Sequence, residues 1–159
     1  MARAYIAVGS NLGGRLENLY LARQHLRRED GIELLRSSPF YETLPVGGPE
    51  GQSKYLNAVW EIETPLEPHD LLVRLQEIEK RLGRERSVPD APRTLDLDLL
   101  IYEDRVIDET GLTLPHPRLH ERLFVLKPLC DLAPRWRDPR SGLTARQLME
   151  KVIEAGSPA

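Results

Sequence analysis

Two aspartates stand two residues apart in the segment Arg93-Thr94-Leu95-Asp96-Leu97-Asp98-Leu99-Leu100. Leucines alternate with them, which is typical of a strand that buries one face. Asp96 and Asp98 then project together from the other face, where neighbouring carboxylates repel each other unless a cation lies between them. Mg²⁺ bound by one or two carboxylates and by substrate phosphates fits such a pair. A solvated outer face that carries two acids is the alternative interpretation.

Three arginines precede this pair in a segment interrupted by prolines: Arg84, Arg86 and Arg93. Transfer of a phosphoryl-type group depends on positioning and on neutralisation of charge, which cations beside a metal-binding carboxylate pair supply. A guanidinium group can also bind phosphate through two hydrogen bonds. For the run from Arg81 to Arg86, a solvated helix end is the alternative.

Further side chains could complete a binding cleft, and each also has a structural alternative. Gln76 and Glu79 are three apart on a predicted helix and share a face, where plain surface polarity is the alternative. Tyr55 and Asn57 share one face of a predicted strand, where an aromatic ring and an amide could recognise a heterocycle, or Tyr55 could pack in the core. His116 lies between two prolines as a turn residue or a ligand contact.

The elements that would position these residues alternate between strand and helix. Hydrophobic periodicity predicts strands over residues 4–8, 32–38, 55–63 and 95–102. Helices are predicted after residue 14, from Pro68 to 82, from about 119 to 131, and after Thr144, whose capping box with Gln147 starts a helix that ends before Gly156. Proline and glycine predict loops over 40–54 and 84–93. This order predicts a ferredoxin-like βαββαβ α+β sandwich with an antiparallel sheet and additional C-terminal helices.

Composition limits the classes of protein that the chain can be. Its 159 residues, 40% of them hydrophobic, predict one domain over residues 1–159 with a real core. A net charge of −3 argues against attraction to nucleic acid or an anionic membrane. The single cysteine, Cys130, lies in an apolar run, which predicts a buried thiol and a reducing cytoplasm. We find no apolar run of the ~20 residues that a membrane span needs.

Four blocks of the chain resemble the 6-hydroxymethyl-7,8-dihydropterin pyrophosphokinases of folate biosynthesis. They occur in the family's order and cover nearly the whole chain, and the third is the most specific: residues 4–13 (AYIAVGSNLG), 55–58 (YLNA), 93–100 (RTLDLDLL) and 114–117 (LPHP). The resemblance implies a diphosphate-transferring enzyme. It would move pyrophosphate from MgATP to 6-hydroxymethyl-7,8-dihydropterin and release AMP.

The resemblance also implies roles for individual residues. Asp96 and Asp98 would be catalytic and would hold two Mg²⁺ ions that bridge the ATP phosphates, while Arg84 and Arg93 would neutralise charge during transfer. The residues implied in ATP binding are Gln76, Glu79, Arg86, His116 and Arg122. The residues implied in pterin binding are Thr43, Val46, Tyr55, Asn57 and Phe124, with the Tyr55 and Phe124 rings on either side of the pterin.

Two other function classes stay open on the sequence. A different Mg²⁺-dependent phosphotransferase or nucleotidyltransferase would use the same aspartates, but it would leave Tyr55, Asn57 and Phe124 unexplained. A ferredoxin-like module that stacks RNA bases would need exposed aromatics and a basic face, which the chain lacks. We therefore expect a monomeric cytoplasmic enzyme that binds ATP and the pterin, with neither nucleic acid nor membrane as partner.

Overall fold

An antiparallel sheet runs through the computed structural model, which describes residues 1–11, 14–43, 54–82 and 95–156. The strands are β1 (Ala2–Ser10), β2 (Glu33–Ser37), β3 (Tyr41–Thr43), β4 (Tyr55–Thr64), β5 (Asp96–Tyr102), β6 (Ile107–Glu109) and β7 (Leu112–Leu114). The helices are α1 (Arg15–Arg28), α2 (Pro68–Arg81), α3 (Leu123–Leu132) and α4 (Ala145–Glu154), and a 3₁₀ turn covers Leu119–Glu121.

The main sheet has the order β2-β4-β1-β5, with β3 paired to the outer part of β4, and every pair is antiparallel. Strands β6 and β7 form a separate hairpin. The chain order β1-α1-β2-β4-α2-β5 with these neighbours is the ferredoxin-like arrangement, so the predicted fold class is confirmed. Strand β5 is thereby an edge strand of the main sheet.

Both faces of this sheet are covered, because its central strands are apolar on both sides. Ile6 and Trp60 belong to the face that packs against the apolar stripes of α1 and α2. Tyr5, Val59 and Leu100 belong to the other face, which packs against α3 and α4. The additional C-terminal helices therefore make a third layer over the face that carries the candidate site.

The structure corrects two predicted elements and adds one. Residues 41–43 of the predicted loop form β3, because pairing with β4 supplies backbone hydrogen-bond partners that composition does not reveal. The helix predicted from 119 to 131 is broken, because Arg122 is extended (φ −109°, ψ 97°) between the 3₁₀ turn and α3. The hairpin strand β7 was not predicted; Gly111, at φ +84°, makes the tight turn that leads into it. The predicted loop 84–93 lies outside the described residues.

The capping box predicted at the start of the C-terminal helix is confirmed. The Thr144 hydroxyl accepts a hydrogen bond from the Gln147 amide at 3.1 Å, and the Gln147 side chain accepts one from the Thr144 amide at 2.9 Å. Cys130, predicted to be buried, is half-buried; its partial burial raises the pKa of the thiol to about 11, which keeps it protonated. Within the described ranges, each helix is too short or too polar to cross a bilayer.

Candidate functional site at the β5 edge

The two aspartates lie side by side on β5, as the leucine alternation predicts. Leu97 and Leu99 are buried in the core under α1 and α2, whereas Asp96 and Asp98 are half-buried on the opposite face. In the register with β1, Asp96 is opposite Gly9 and Asp98 is opposite Ala7. The carboxylates therefore project from the same face of the sheet that α3 and α4 cover further along.

A row of paired residues crosses the sheet from these aspartates to β3. Gly9 is opposite Asp96 on one side and Asn57 on the other, and Asn57 is in turn opposite Tyr41. A Cβ atom at Gly9 would come within 2.9 Å of Asn57 Oδ1 and 3.6 Å of the Tyr55 ring. Glycine is therefore required between the carboxylates and the amide if the Asn57 side chain is to keep its place.

Strands β3 and β4 bring together three of the side chains predicted to bind the pterin. The Asn57 amide donates a hydrogen bond to the Thr43 hydroxyl, and both residues are buried. Tyr55 is opposite Thr43 in the register. Helix α3, which begins with Phe124 in its first turn, packs on both strands. Val46 lies outside the described residues.

Four of the residues predicted for the nucleotide side line one cleft of about 360 Å³ along the β5 edge: Gln76, Glu79, Asp98 and His116. Helix α2 forms one wall of this cleft. The tip of the β6–β7 hairpin, with Gly111, Leu112 and Thr113, forms the other. The sequence analysis missed this wall, although apolar residues on either side of a glycine could have suggested a hairpin. Arg84, Arg86 and Arg93 fall outside the described ranges.

Glu79 is buried, with 3% of its surface exposed, and it binds the backbone between the two aspartates. Its Oε2 atom accepts a hydrogen bond from the Leu97 amide at 2.8 Å. That amide points away from β1, toward the open edge of the sheet. The carboxylate therefore fixes the edge strand at the point from which Asp96 and Asp98 project.

His116 is held in one orientation by the backbone around it. Its amide donates to the Leu100 carbonyl at 2.8 Å, and its Nδ1 atom accepts from the Arg118 amide at 3.2 Å. Burial, together with the smaller effect of the Arg122 and Arg118 charges, lowers the pKa of the imidazole from 6.5 to about 4. The ring is therefore neutral at pH 7, with its proton on Nε2, and can act there as a hydrogen-bond donor.

Arg122 lies between the edge cleft, which His116 lines, and the Phe124 ring at the start of α3. Its charge acts on His116, which lines the edge cleft, and its guanidinium group lies over the Phe124 ring at 5.5 Å from the ring centre. The extended conformation that interrupts the predicted helix places Arg122 before α3 rather than within it. A cation at this position can interact with phosphate while its aliphatic part packs on an aromatic ring.

A partly buried network that the sequence does not predict fixes α3 to the sheet. Glu61 accepts hydrogen bonds from the Tyr5 hydroxyl at 2.5 Å and from Arg36 Nε at 2.8 Å. Arg36 also donates to the Leu132 carbonyl at the end of α3, at 2.8 Å. The Arg36 interaction holds the pKa of Glu61 below its usual range, so this carboxylate stays charged.

The donor set of the site suits Mg²⁺, which uses hard oxygen ligands and completes its shell with phosphate and water. Asp96 and Asp98 supply two carboxylates on one face of one strand. Among the described residues, no group of three or more His, Cys, Asp or Glu side chains is arranged to hold a metal ion.

A ferredoxin-like sheet with a carboxylate pair beside a polar edge cleft defines a transferase of phosphoryl-type groups. The family model of 7,8-dihydro-6-hydroxymethylpterin-pyrophosphokinase matches residues 5–134, and the chain belongs to this family. The resemblance of the four sequence blocks is thereby confirmed, and the RNA-binding alternative is set aside.

Individual relatives agree with this assignment. The 2-amino-4-hydroxy-6-hydroxymethyldihydropteridine pyrophosphokinase of Synechocystis sp. is 44% identical over 149 residues, which cover 94% of this chain and 75% of that protein. The protein of the same name from Bacillus subtilis is 46% identical over 129 residues, covering 81% and 77%. A crystal structure of HPPK-DHPS in complex with substrates shares the fold, with a TM-score of 0.79 at 13% identity over 97% of this chain and 44% of that one.

Proposed function

We propose that this pyrophosphokinase carries out its reaction on the row of residues from Asp96 to Asn57. The reaction moves pyrophosphate from ATP to 6-hydroxymethyl-7,8-dihydropterin in folate biosynthesis. The observation that carries the proposal is the register in which Gly9 separates Asp96 from Asn57. Adjacent strands are ~4.8 Å apart, so β5 and β4 lie about 10 Å apart, which suits a phosphate chain on one and a pterin on the other.

The nucleotide half of the proposal uses the edge cleft. ATP would lie between α2 and the hairpin, with Gln76, Glu79 and His116 around it and its phosphates directed toward Asp96 and Asp98. When bound by the aspartates, two Mg²⁺ ions would neutralise the phosphate charge and orient the chain. The neutral His116 would donate a hydrogen bond from Nε2.

The pterin half uses the β3–β4 end of the row. The amide of Asn57 and the hydroxyl of Thr43 supply donors and acceptors for the pterin edge, which the buried hydrogen bond between them supports. Tyr55 and Phe124 would hold the ring from both sides, with Val46 nearby. Offset stacking of this kind contributes about 1 kcal/mol for each aromatic pair.

In the reaction, the pterin hydroxymethyl oxygen forms a bond to the β-phosphorus of ATP and loses its proton. The bond from that phosphorus to the oxygen shared with the α-phosphate breaks, and AMP leaves. Arg122 is positioned to stabilise the charge on the phosphates, since it lies near both halves of the site. We assign Arg84 and Arg93 to neutralisation of charge during transfer and Arg86 to phosphate binding.

We further propose that the enzyme acts in the cytoplasm as a monomer and a single domain. One cysteine in 159 residues allows no intrachain disulfide, as is typical of proteins in a reducing compartment.

The test is pterin-dependent release of AMP. The purified protein is incubated with MgATP, with and without 6-hydroxymethyl-7,8-dihydropterin, and AMP is quantified. We expect AMP release only when the pterin is present. In Asp96→Ala and Asp98→Ala, the rate of release should fall below about 0.1% of the wild-type rate. Asp104→Ala, which changes an exposed aspartate in the turn after β5, should keep wild-type activity.

Two outcomes would overturn parts of the proposal. Release of AMP that does not depend on the pterin would contradict the reaction. Substantial turnover by a folded Asp98→Ala variant would contradict the placement of the metal on β5.

A further inference from the structure

The far wall of the edge cleft is a two-stranded hairpin that lies outside the main sheet. Among the described strands, β6 and β7 pair with each other and not with the main sheet, and their turn reaches the cleft through Gly111, Leu112 and Thr113. A two-stranded hairpin is marginally stable by itself. Contacts with the rest of the molecule must therefore set the position of this wall.

Arg140 holds the open end of the hairpin. Its Nη2 atom donates to Asp108 Oδ1 at 2.7 Å and to the Leu114 carbonyl at 3.0 Å, with a longer contact to the Ile107 carbonyl at 3.4 Å. Its Nη1 atom donates to Asp108 Oδ2 at 3.3 Å. Ile107 and Leu114 are paired in the register, so one guanidinium group joins both strands.

The turn that carries Arg140 is itself well anchored. Asp138 is buried, and its carboxylate accepts hydrogen bonds from the Arg140 amide at 3.0 Å and the Ser141 hydroxyl at 2.9 Å. The Asp138 amide donates to the Leu143 carbonyl at 2.8 Å, and the Gly142 amide donates to the Asp138 carbonyl at 2.8 Å. These contacts hold the backbone of Arg140 in place without involving the hairpin.

Arg140 and its partners on the hairpin, which we call the clamp, also fix the segment that leads to His116. Leu114, whose carbonyl Arg140 binds, is two residues before His116, whose amide is held by Leu100 on β5. The segment is therefore fixed on one side by the edge strand and on the other by Arg140. A second contact, between His69 on α2 and Glu109, joins the hairpin to the opposite wall of the cleft.

We propose that Arg140 is a positioning residue for ATP, because it sets the distance between the hairpin wall and the β5 edge. The inference rests on the proposed placement of ATP in the edge cleft. Arg140 lies beyond residues 5–134, which the family model matches. The Arg140 side chain is 38% exposed, and a surface pair of this kind adds little to stability. Replacing it should therefore change the cleft without unfolding the protein.

The experiment compares Arg140→Ala with Arg146→Ala. Arg146 lies in the same C-terminal region, is more exposed, and pairs with Glu150 at 3.3 Å. We expect Arg140→Ala to raise KM for ATP at least about fivefold, since it removes hydrogen bonds to a charged group. Both kcat and KM for the pterin should stay within about twofold, and Arg146→Ala should match the wild type.

Two further variants keep the test decisive if Arg140→Ala does not fold. Arg140→Lys keeps the charge but cannot join both strands, so it should raise KM for ATP by a smaller factor. Asp108→Ala should also raise KM for ATP, and adding it to Arg140→Ala should produce no further increase, because both changes break one clamp.

The outcomes separate the clamp from the proposed function. A wild-type protein without pterin-dependent AMP release contradicts the function itself. An active wild type together with an Arg140→Ala variant of unchanged KM for ATP contradicts the clamp alone. An equal rise in KM for both substrates would also contradict it, because that result indicates general loosening of the fold.

Discussion

The neutral, half-buried His116 predicts a specific loss of stability in acid. Burial and the nearby Arg122 and Arg118 charges lower the pKa of this imidazole from 6.5 to about 4 in the folded protein. Between these two values the unfolded chain binds a proton that the folded protein does not. The free energy of unfolding must therefore fall as the pH is lowered through this range, and it is fully retained only above it.

The size of the effect follows from the two pKa values. At pH 5 the unfolded imidazole is almost fully protonated, whereas the folded one is protonated in only about a tenth of the molecules. Integration from pH 7 to pH 5 gives a loss of about 2 kcal/mol from this one residue. The complete difference, reached below pH 4, is about 3 kcal/mol.

The assay is urea unfolding of the ligand-free protein with a metal chelator present, at pH 7 and pH 5. His116→Asn and His116→Gln remove the titrating group and keep an amide of similar size. Each variant should lose about 2 kcal/mol less than the wild type between the two pH values. The value at pH 7 is the internal control, because it contains the packing effect of the substitution and little of the titration.

Equal losses in the wild type and both variants, within about 0.5 kcal/mol, would refute the reasoning. Such a result would mean that the folded imidazole accepts a proton as readily as the unfolded one. A larger loss in the variants would reverse the sign and contradict the assigned burial.

Two further substitutions test the row of residues and the edge strand. Gly9→Ala puts a Cβ atom within 2.9 Å of Asn57 Oδ1, so overpacking should raise KM for the pterin at least about fivefold while KM for ATP stays unchanged. Steady-state kinetics with each substrate varied in turn measures both constants. An equal rise in both KM values would be inconsistent with this geometry. Glu79→Ala leaves the Leu97 amide without its buried acceptor and should lower the free energy of unfolding in urea by about 1–3 kcal/mol. Glu79→Gln keeps an acceptor oxygen and should lower it less. Equal losses in the two variants would argue against the hydrogen bond as the cause.

The elements that carry the aspartates and the cleft wall could be predicted because their patterns are long and regular. The alternation of Leu97 and Leu99 with the aspartates on β5 and the apolar spacing of Leu71 and Leu75 on α2 each repeat over several residues. Three residues of β3 have no such pattern, and nearby prolines and glycines dominate the composition there. Its pairing with β4 decides the conformation.

Contacts between distant residues are the part of the site that spacing cannot predict. Glu79 was assigned to the cleft, but its hydrogen bond to an amide 18 residues away depends on how α2 packs beside β5. Spacing alone allows His116 to be a turn residue or a ligand contact, and the structure places it in the lining of the cleft. Arg140 had no distinguishing pattern at all, since its partners lie 26 to 33 residues earlier.

The open edge of β5 also bears on how molecules of this protein avoid one another. An unpaired sheet edge is a template on which a strand from another molecule can add, and such edges lead to aggregation unless they are blocked. Here the Leu97 amide, which points away from β1, donates a hydrogen bond to the Glu79 carboxylate. The amide of His116, which follows the hairpin, donates to the Leu100 carbonyl. Two residues that line the edge cleft, Glu79 through its side chain and His116 through its backbone amide, thus also protect the chain from strand addition.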